Sequence, residues 1–144
     1  MAVWVATLGP VGYWPLGPGT LASALVAGLW WALPVRGWAW LLAVIVLIPL
    51  GIACADRAEA VLGHDDGRIV IDEVLGMGTA LLTAPHTAVG VVAAFVLFRT
   101  LDIGKPPPLG RLQRVRGGSG VVLDDLAAGA LAAALVGVGY GVIG

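Results

Sequence analysis

The stretch IVIDEVLGMGTA, residues 69–80, sets two carboxylates, Asp72 and Glu73, at the mouth of an apolar run. The same arrangement recurs in FRTLDIGKPPPLG, residues 98–110, with Asp102, and in GVVLDDLAAG, residues 120–129, with Asp124 and Asp125. An Asp at the centre of a membrane helix costs roughly 2.5–3.5 kcal/mol on insertion scales, so several acids beside apolar segments need a compensating partner. A divalent cation is the simplest one.

The rest of the chain offers few other charges. Of 144 residues, 59% are hydrophobic and 12% charged, and the mean hydropathy is +0.96; a soluble domain carries about a quarter charged residues. The composition describes a single membrane-embedded domain over residues 1–144. A net charge of −1 argues against a nucleic-acid partner, which would call for a basic stripe on a strongly basic domain. The lone cysteine, Cys54, lies in the apolar run LIPLGIACA, which excludes a disulfide framework and reads as a packed core residue. MAVWVATLG at the start lacks the positive region of a secretory signal.

Five apolar stretches follow one another, about Thr20 to Leu33, Trp38 to Ala55, Val74 to Ala84, Thr87 to Ile103 and Leu126 to Ile143. The reading is all-α, a small polytopic membrane helical bundle. A span needs about 20 apolar residues, so the first and third stretches are short and are read as short or partly re-entrant helices. In the last stretch Gly129, Ala130, Ala133, Ala134, Gly137 and Gly141 recur at three- and four-residue spacing. Small residues in that pattern let helices pack closely, within one chain or between two copies as a homodimer.

If all five stretches cross, seven basic residues fall on one side: Arg57, Arg68, Arg99, Lys105, Arg111, Arg114 and Arg116. Only Arg36 falls on the other. Short loops rich in Lys and Arg stay in the cytoplasm, so the acids, the basic loop and the Gly-Pro-rich segment before the first helix are expected together at the cytoplasmic face.

Each candidate residue has a structural reading as well as a chemical one. Asp72–Glu73 and Asp124–Asp125 are placed at the openings of apolar helices, where a carboxylate cap contributes about 0.5–2 kcal/mol. Asp102 does not fit that account. Its helix ends just beyond it at Gly104, Lys105 and Pro106, which leaves a negative side chain near the negative end of the dipole. Arg99 and Lys105, three residues to either side, or a cation shared with the other acids, could each offset it. An all-oxygen donor set suits Mg²⁺ or Mn²⁺ rather than zinc or copper. His64, Asp65 and Asp66 in GHDDG read either as a turn or as a ligand or acid. Asp56 and Glu59 share a helical face and read as a solvated helix end or as ligands. Thr20 and Ser23, near the start of the first apolar helix, offer hydroxyls and backbone N–H groups to a phosphate. The Lys-Ser/Thr ending of a nucleotide loop is missing there, so no nucleotide is implied.

Taken in order, PGT and LAS (Pro18 to Ser23), HDDG-IVIDE-GM (His64 to Met77), FR-LD-KP-P (Phe98 to Pro108) and GG-G followed by DD-AG (Gly117 to Gly129) resemble the phosphatidylglycerophosphatase A family of bacterial membrane lipid phosphatases. The resemblance runs nearly end to end. It implies a helical, Mg²⁺-dependent enzyme of the bacterial cytoplasmic (inner) membrane, multi-pass, that converts phosphatidylglycerophosphate to phosphatidylglycerol and inorganic phosphate. By resemblance, Asp72, Glu73, Asp102, Asp124 and Asp125 supply the metal ligands and, with Lys105, the catalytic groups. Thr20, Ser23, Arg99 and Lys105 would receive the phosphate, and His64 and Asp65 stand as further candidates. Gln113 departs from the pattern where relatives often have Asp, and Pro107 where a KPWP element has Trp.

On chemical grounds, a metal with Arg99 and Lys105 can neutralise a phosphoryl group in transfer. Asp102, Asp72 and Asp125 are each candidates for general base, proton donor or nucleophile. A rival reading is a small cation transporter or channel subunit with acids along a conduction path. It requires charges at several depths, whereas these gather on one face. An alcohol phosphatidyltransferase would carry an Asp-Gly-x2-Ala-Arg spacing, which this sequence lacks.

Overall fold

The structure, a computed structural model, describes residues 1–35, 37–107 and 117–143. Arg36, Pro108, Arg111, Gln113, Arg114 and Arg116, which entered the charge count and the family pattern, lie outside the described residues. Helices follow in the order α1 (Ala2–Ala6), α2 (Pro18–Ala32), α3 (Trp38–Leu62), α4 (Ile71–Ala80), α5 (Ala88–Gly104) and α6 (Gly118–Ile143), with 3-10 turns at Val11–Tyr13 and Leu81–Thr83. Among the described residues there is no strand, as the all-α expectation requires.

Helix boundaries are set by local chemistry. Pro18 starts α2 behind Gly17, whose φ of 63° suits a residue without a Cβ, and proline is well placed at a first helical position. Thr87 caps α5, its Oγ1 accepting the Gly90 N–H at 3.1 Å. Two boundaries correct the sequence reading. α3 continues past Ala55 to Leu62, because Asp56, Arg57 and Glu59 extend the helix without a breaker until Gly63. α6 begins at Gly118, so Asp124 and Asp125 do not open it and capping cannot explain them. Gly118 packs against α3, where a Cβ would strike Asp56 N and Ile52 O; its glycine serves a close approach rather than a turn.

α4 is the centre of the arrangement. This ten-residue helix is buried among α2, α3, α5 and α6, with Leu75, Gly76, Met77, Gly78 and Ala80 inside. It runs parallel to α6. A Cβ on Gly129 would meet Gly76 O, and one on Gly76 would meet the Phe98 ring and Asp125 O. Further along, Thr83 Oγ1 donates to Ala133 O at 2.5 Å, and Gly137 faces Thr83. Gly129, Ala133 and Gly137 are therefore used inside the chain, by α4 and the turn after it.

The core has two parts. One gathers Val26, Trp30, Trp40, Met77, Leu81 and Phe98, with Trp40 Nε1 donating to Gly78 O at 2.8 Å. The other packs α1 and the loop before α4 onto α3, through Ala6, Cys54, Ala58, Ile69, Leu75 and Val122. Cys54 is buried and reduced there, as read from the sequence. Val70 N–H donates to Ala6 O at 2.9 Å, pinning the approach to α4.

Among the described residues, two helices are long and apolar enough to cross a membrane: Trp38–Leu62 and Gly118–Val142. The other expected segments are shorter, with α2 at 15 residues and α5 at 17.

Candidate active site

The acid-bearing ends of α4 and α6 lie together because the two helices are parallel and meet at Gly76 and Gly129. One turn back from that contact, Asp72 and Asp125 face each other. Carboxylate oxygens of Asp72, Glu73 and Asp125 all lie within 4.8 Å of one another. Asp72 and Asp125 are buried, at 7% and 3% exposure. Asp72 Oδ1, Glu73 Oε2 and Asp125 Oδ2 are buried and have no hydrogen-bond partner among the described residues. Such atoms are costly in an apolar interior unless something positive meets them.

α5 brings the cations. Near its C-terminal end it carries Arg99, whose Nη1 donates to Asp102 Oδ2 at 2.5 Å and lies 3.9 Å from Glu73 Oε1. Arg99 Nη2 donates to Thr20 Oγ1 at 3.2 Å, so α2 reaches the same end of the bundle. Asp102 is in turn a neighbour of Asp125. The salt-bridge reading of Asp102 thus holds for Arg99, and the bridge is part of a larger acidic group.

Lys105 follows a different course from the expectation that it would offset Asp102. Its Nζ donates to Asp124 Oδ2 at 2.7 Å. The reason is local: Lys105 caps α5 in a left-handed conformation, φ 37° and ψ 58°, which turns its side chain off the helical face that Asp102 occupies. That conformation costs a non-glycine residue about 1–2 kcal/mol. Among the described residues, five carboxyls, those of Asp72, Glu73, Asp102, Asp124 and Asp125, are therefore gathered against two cations.

Burial raises the Asp72 carboxyl well above the usual range, and the charges of Glu73 and Asp125 add to the effect. Burial also raises Glu73, opposed by its bond to Asp72 and by Arg99, and reinforced by Asp102. For Lys105, burial works to lower the ammonium, but the hydrogen bond and charge of Asp124, with Asp65 and Asp125 beyond, raise it above 10.5.

Other candidates occupy less central places. Ser23 is fully buried and its Oγ donates to Gly19 O at 2.8 Å, so that hydroxyl proton is engaged within α2. Thr20 is exposed and holds Arg99. His64 Nδ1 lies 2.6 Å from Glu59 Oε1, and Asp65 N–H donates to the same oxygen at 3.0 Å. The GHDDG segment is thus a turn held by Glu59, and within it the Arg68 guanidinium holds the Asp66 carboxyl down at about 2. Asp65 still contributes negative charge near Lys105.

Two structural contributions were not foreseen: Asp56, read from the sequence as a solvated helix end or a ligand, serves another helix, and Gly19 was not singled out as a packing residue. Asp56 Oδ1 accepts the Gly118 N–H at 2.5 Å, satisfying a free donor at the start of α6 from across the α3 interface. Gly19 sits against the Glu73 carboxylate, which a Cβ would overlap. No local pattern points to either pairing; the glycine before Thr20 was the only visible signal.

Helices packed around a buried group of carboxyls, with an arginine and a lysine at its edge, define the class: an all-helical protein with a polyanionic centre at one end. The model of the Phosphatidylglycerophosphatase A family matches residues 4–140. The chain belongs to that family, whose members are phosphatases acting on a phospholipid. Among curated relatives, a Bacteroides thetaiotaomicron protein with the provisional name phosphatidylinositol-3-phosphatase is 37% identical over 142 residues, covering 92% of this chain and 89% of the relative. Phosphatidylglycerophosphatase A of Escherichia coli is 36% identical over 126 residues, covering 85% and 73% respectively. The Haemophilus influenzae protein of the same name is 36% identical over 90 residues, covering 60% and 55%. No solved structure matches the chain.

Proposed function

We propose that this chain hydrolyses the terminal phosphate monoester of phosphatidylglycerophosphate at the cytoplasmic surface of a bacterial membrane, with Mg²⁺ as cofactor. The observation that carries this reading is the set of buried, unpartnered oxygens of Asp72, Glu73 and Asp125 beside Arg99 and Lys105. Their donors are all carboxylate oxygen, the hard ligand type that Mg²⁺ prefers. Asp72, Glu73 and Asp125 would hold the ion, with Asp102 and Asp124 at its margins. When bound, Mg²⁺ supplies neutralising charge at the phosphate and a more acidic water.

The remaining work falls to the chain's own groups. Lys105, with its side chain 31% exposed, is more open to an arriving phosphate than Arg99. Arg99, with 13% exposed, is held from two sides and would present fixed positive charge to the phosphoryl oxygens as they gain charge in transfer. Hydrolysis breaks the bond between phosphorus and the glycerol oxygen, adds water oxygen to phosphorus and requires a proton on the departing glycerol oxygen. Asp72, Asp102 and Asp125 lie within the cluster that could move that proton, or form a phospho-aspartyl link.

The membrane setting is supported by the outer surface. Leu42, Ile45, Val46 and Leu50 of α3 and Leu135, Val138 and Val142 of α6 are exposed, an apolar exterior that water would not favour. The 25 residues of α3 give about 37 Å at 1.5 Å each, above the roughly 30 Å of a hydrocarbon core. Among the described basic residues, Arg68, Arg99 and Lys105 keep company with the acids, and the bias of Lys and Arg in the sequence toward the connections beside them supports a cytoplasmic orientation. Grouping of the acids at one end favours an enzyme over a cation path, which would distribute them in depth.

The test is phosphate release by purified protein in detergent, with Mg²⁺ or EDTA, from phosphatidylglycerophosphate, phosphatidic acid and phosphatidylinositol 3-phosphate. Metal-dependent release preferring the first lipid is the expected result. Preference for the inositol lipid would assign the head group named for the Bacteroides relative, and no release from any of them would overturn the reading.

A further inference from the structure

A cavity of about 320 Å³ opens between α2, α3 and α4. Its walls include Val26, Leu29, Ala43, Leu47, Val74 and Leu75, and they are apolar throughout. That volume lies at the lower end of the range for small-molecule sites, roughly 300–1,000 Å³. Two other surface depressions, at Val89–Val92–Val96 and at Phe95–Thr100–Ile103, follow α5 alone, and a smaller one lies at Gly37, Trp38, Leu41 and Leu82.

The position of the cavity identifies its occupant. It begins on α4 at Val74, the residue after Glu73. On α2, Gly19 lies level with Glu73 and Thr20 with Arg99, while Val26, Leu29 and Leu33 line the cavity progressively further from the acids. The α2 wall of the cavity begins at Val26, about 9 Å from Thr20, and runs to Leu33, about 10 Å further at 1.5 Å per residue. One leaflet of the hydrocarbon core is about 15 Å deep, half of roughly 30 Å. The groove therefore lies below the polyanionic centre and runs away from it for about 10 Å, within the depth of one leaflet. Leu29, Leu33 and Leu47 are exposed at its edge, so the groove is open from the side, where a chain could slide in from lipid.

We propose that this groove binds one acyl chain of the lipid whose phosphate is held at the acidic site. The inference rests on the lipid-phosphatase reading above and adds to it a second point of attachment. Binding the chain in the groove fixes the depth and orientation of the head group, so the phosphate is presented to Arg99 and Lys105.

Ala43→Trp places an indole in the groove from an exposed position on α3, and Val92→Trp adds the same bulk on the outer face of α5 as a control. Phosphate release is measured on phosphatidylglycerophosphate with sixteen-carbon chains and with six-carbon chains. The expected result is a rise of about tenfold or more in KM for the long-chain lipid in Ala43→Trp, little change for the short-chain lipid, and no change in Val92→Trp. Equal KM values for the long-chain lipid in Ala43→Trp and the parent protein would overturn the groove. So would a changed oligomeric state in Ala43→Trp, which would show a second copy of the chain in that place.

A separate readout does not need catalysis. Phosphatidylglycerol with a diazirine at the end of one sixteen-carbon chain is photolysed with the protein, and labelled residues are located by mass spectrometry. Label concentrated on Val26, Leu29 and Leu47, and reduced in Ala43→Trp, supports the proposal even if the head group reading fails. Label spread over α5 and α6, and unaffected by Ala43→Trp, removes it while leaving the phosphatase reading intact.

Discussion

The carboxylate of Glu73 lies against the backbone of Gly19, so closely that a Cβ at Gly19 would overlap Glu73 Oε1. An element outside the acidic motifs thus fixes where one of the acids can sit. Alanine favours a helix over glycine by about 1 kcal/mol, and the colliding atom is the free end of a side chain. Gly19→Ala is therefore expected to leave the melting temperature in detergent nearly unchanged while lowering phosphate release by tenfold or more. Full activity with the same melting temperature would show that the Glu73 position is not critical.

Neutralising the acid cluster has the opposite balance. Asp72 and Glu73 have their carboxyls raised above the ordinary values of 3.8 and 4.5, so their contribution is fully present below those values. It is lost as pH rises through the higher folded values, when metal is withheld. In EDTA at neutral pH, Glu73→Gln should melt at a higher temperature than the parent chain, since it thins a crowd of buried carboxyls that Arg99, already bonded to Asp102, only partly offsets. Added Mg²⁺ should raise the melting temperature of the parent by ligand linkage and raise that of Glu73→Gln less. Phosphate release should fall at least a hundredfold. Identical melting curves with and without Mg²⁺ in the parent would count against a metal site.

Lys105 gives an alkaline signature. Its ammonium is raised above 10.5, so its stabilising effect is complete below 10.5 and disappears as pH rises through the folded value. Lys105→Met should flatten the loss of stability between pH 10 and pH 12, read by thermal unfolding, and should weaken phosphate release. Lys105→Gly relaxes the left-handed backbone but still removes the partner of Asp124, so it should be no more active than Lys105→Met.

Asp56 separates structure from chemistry. Its bond to the Gly118 N–H resembles a helix cap, for which loss costs about 0.5–2 kcal/mol. Asp56→Ala should lower the melting temperature by a few degrees without altering the metal concentration needed for half-maximal activity. A shift in that concentration would instead assign Asp56 to the metal site.

The contact of α4 with α6 is predicted to be intolerant of bulk. A Cβ at Gly129 would press on Gly76 O, and overpacking typically costs about 1–3 kcal/mol. Gly129→Val should reduce both the melting temperature and activity, because separating the helices also separates Asp125 from Asp72. Retained activity in this variant would show that the two acids act independently.

The sequence by itself determined the helical class, the family, and the gathering of its acids with Arg99 and Lys105 at one end. Those properties are local or additive: hydropathy summed along Trp38–Leu62, Pro18 and Gly17 at the start of α2, Gly104–Lys105–Pro106 at the end of α5. Tertiary structure alone decided the partners. Lys105 pairs with Asp124 rather than Asp102, Asp124 and Asp125 lie inside α6 rather than at its opening, and Asp56 serves the start of a helix 62 positions away. A pairing depends on which face each helix turns to its neighbour and on how closely backbones approach, as at Gly76 and Gly129. Both depend on residues far apart in the chain, and only packing brings those together.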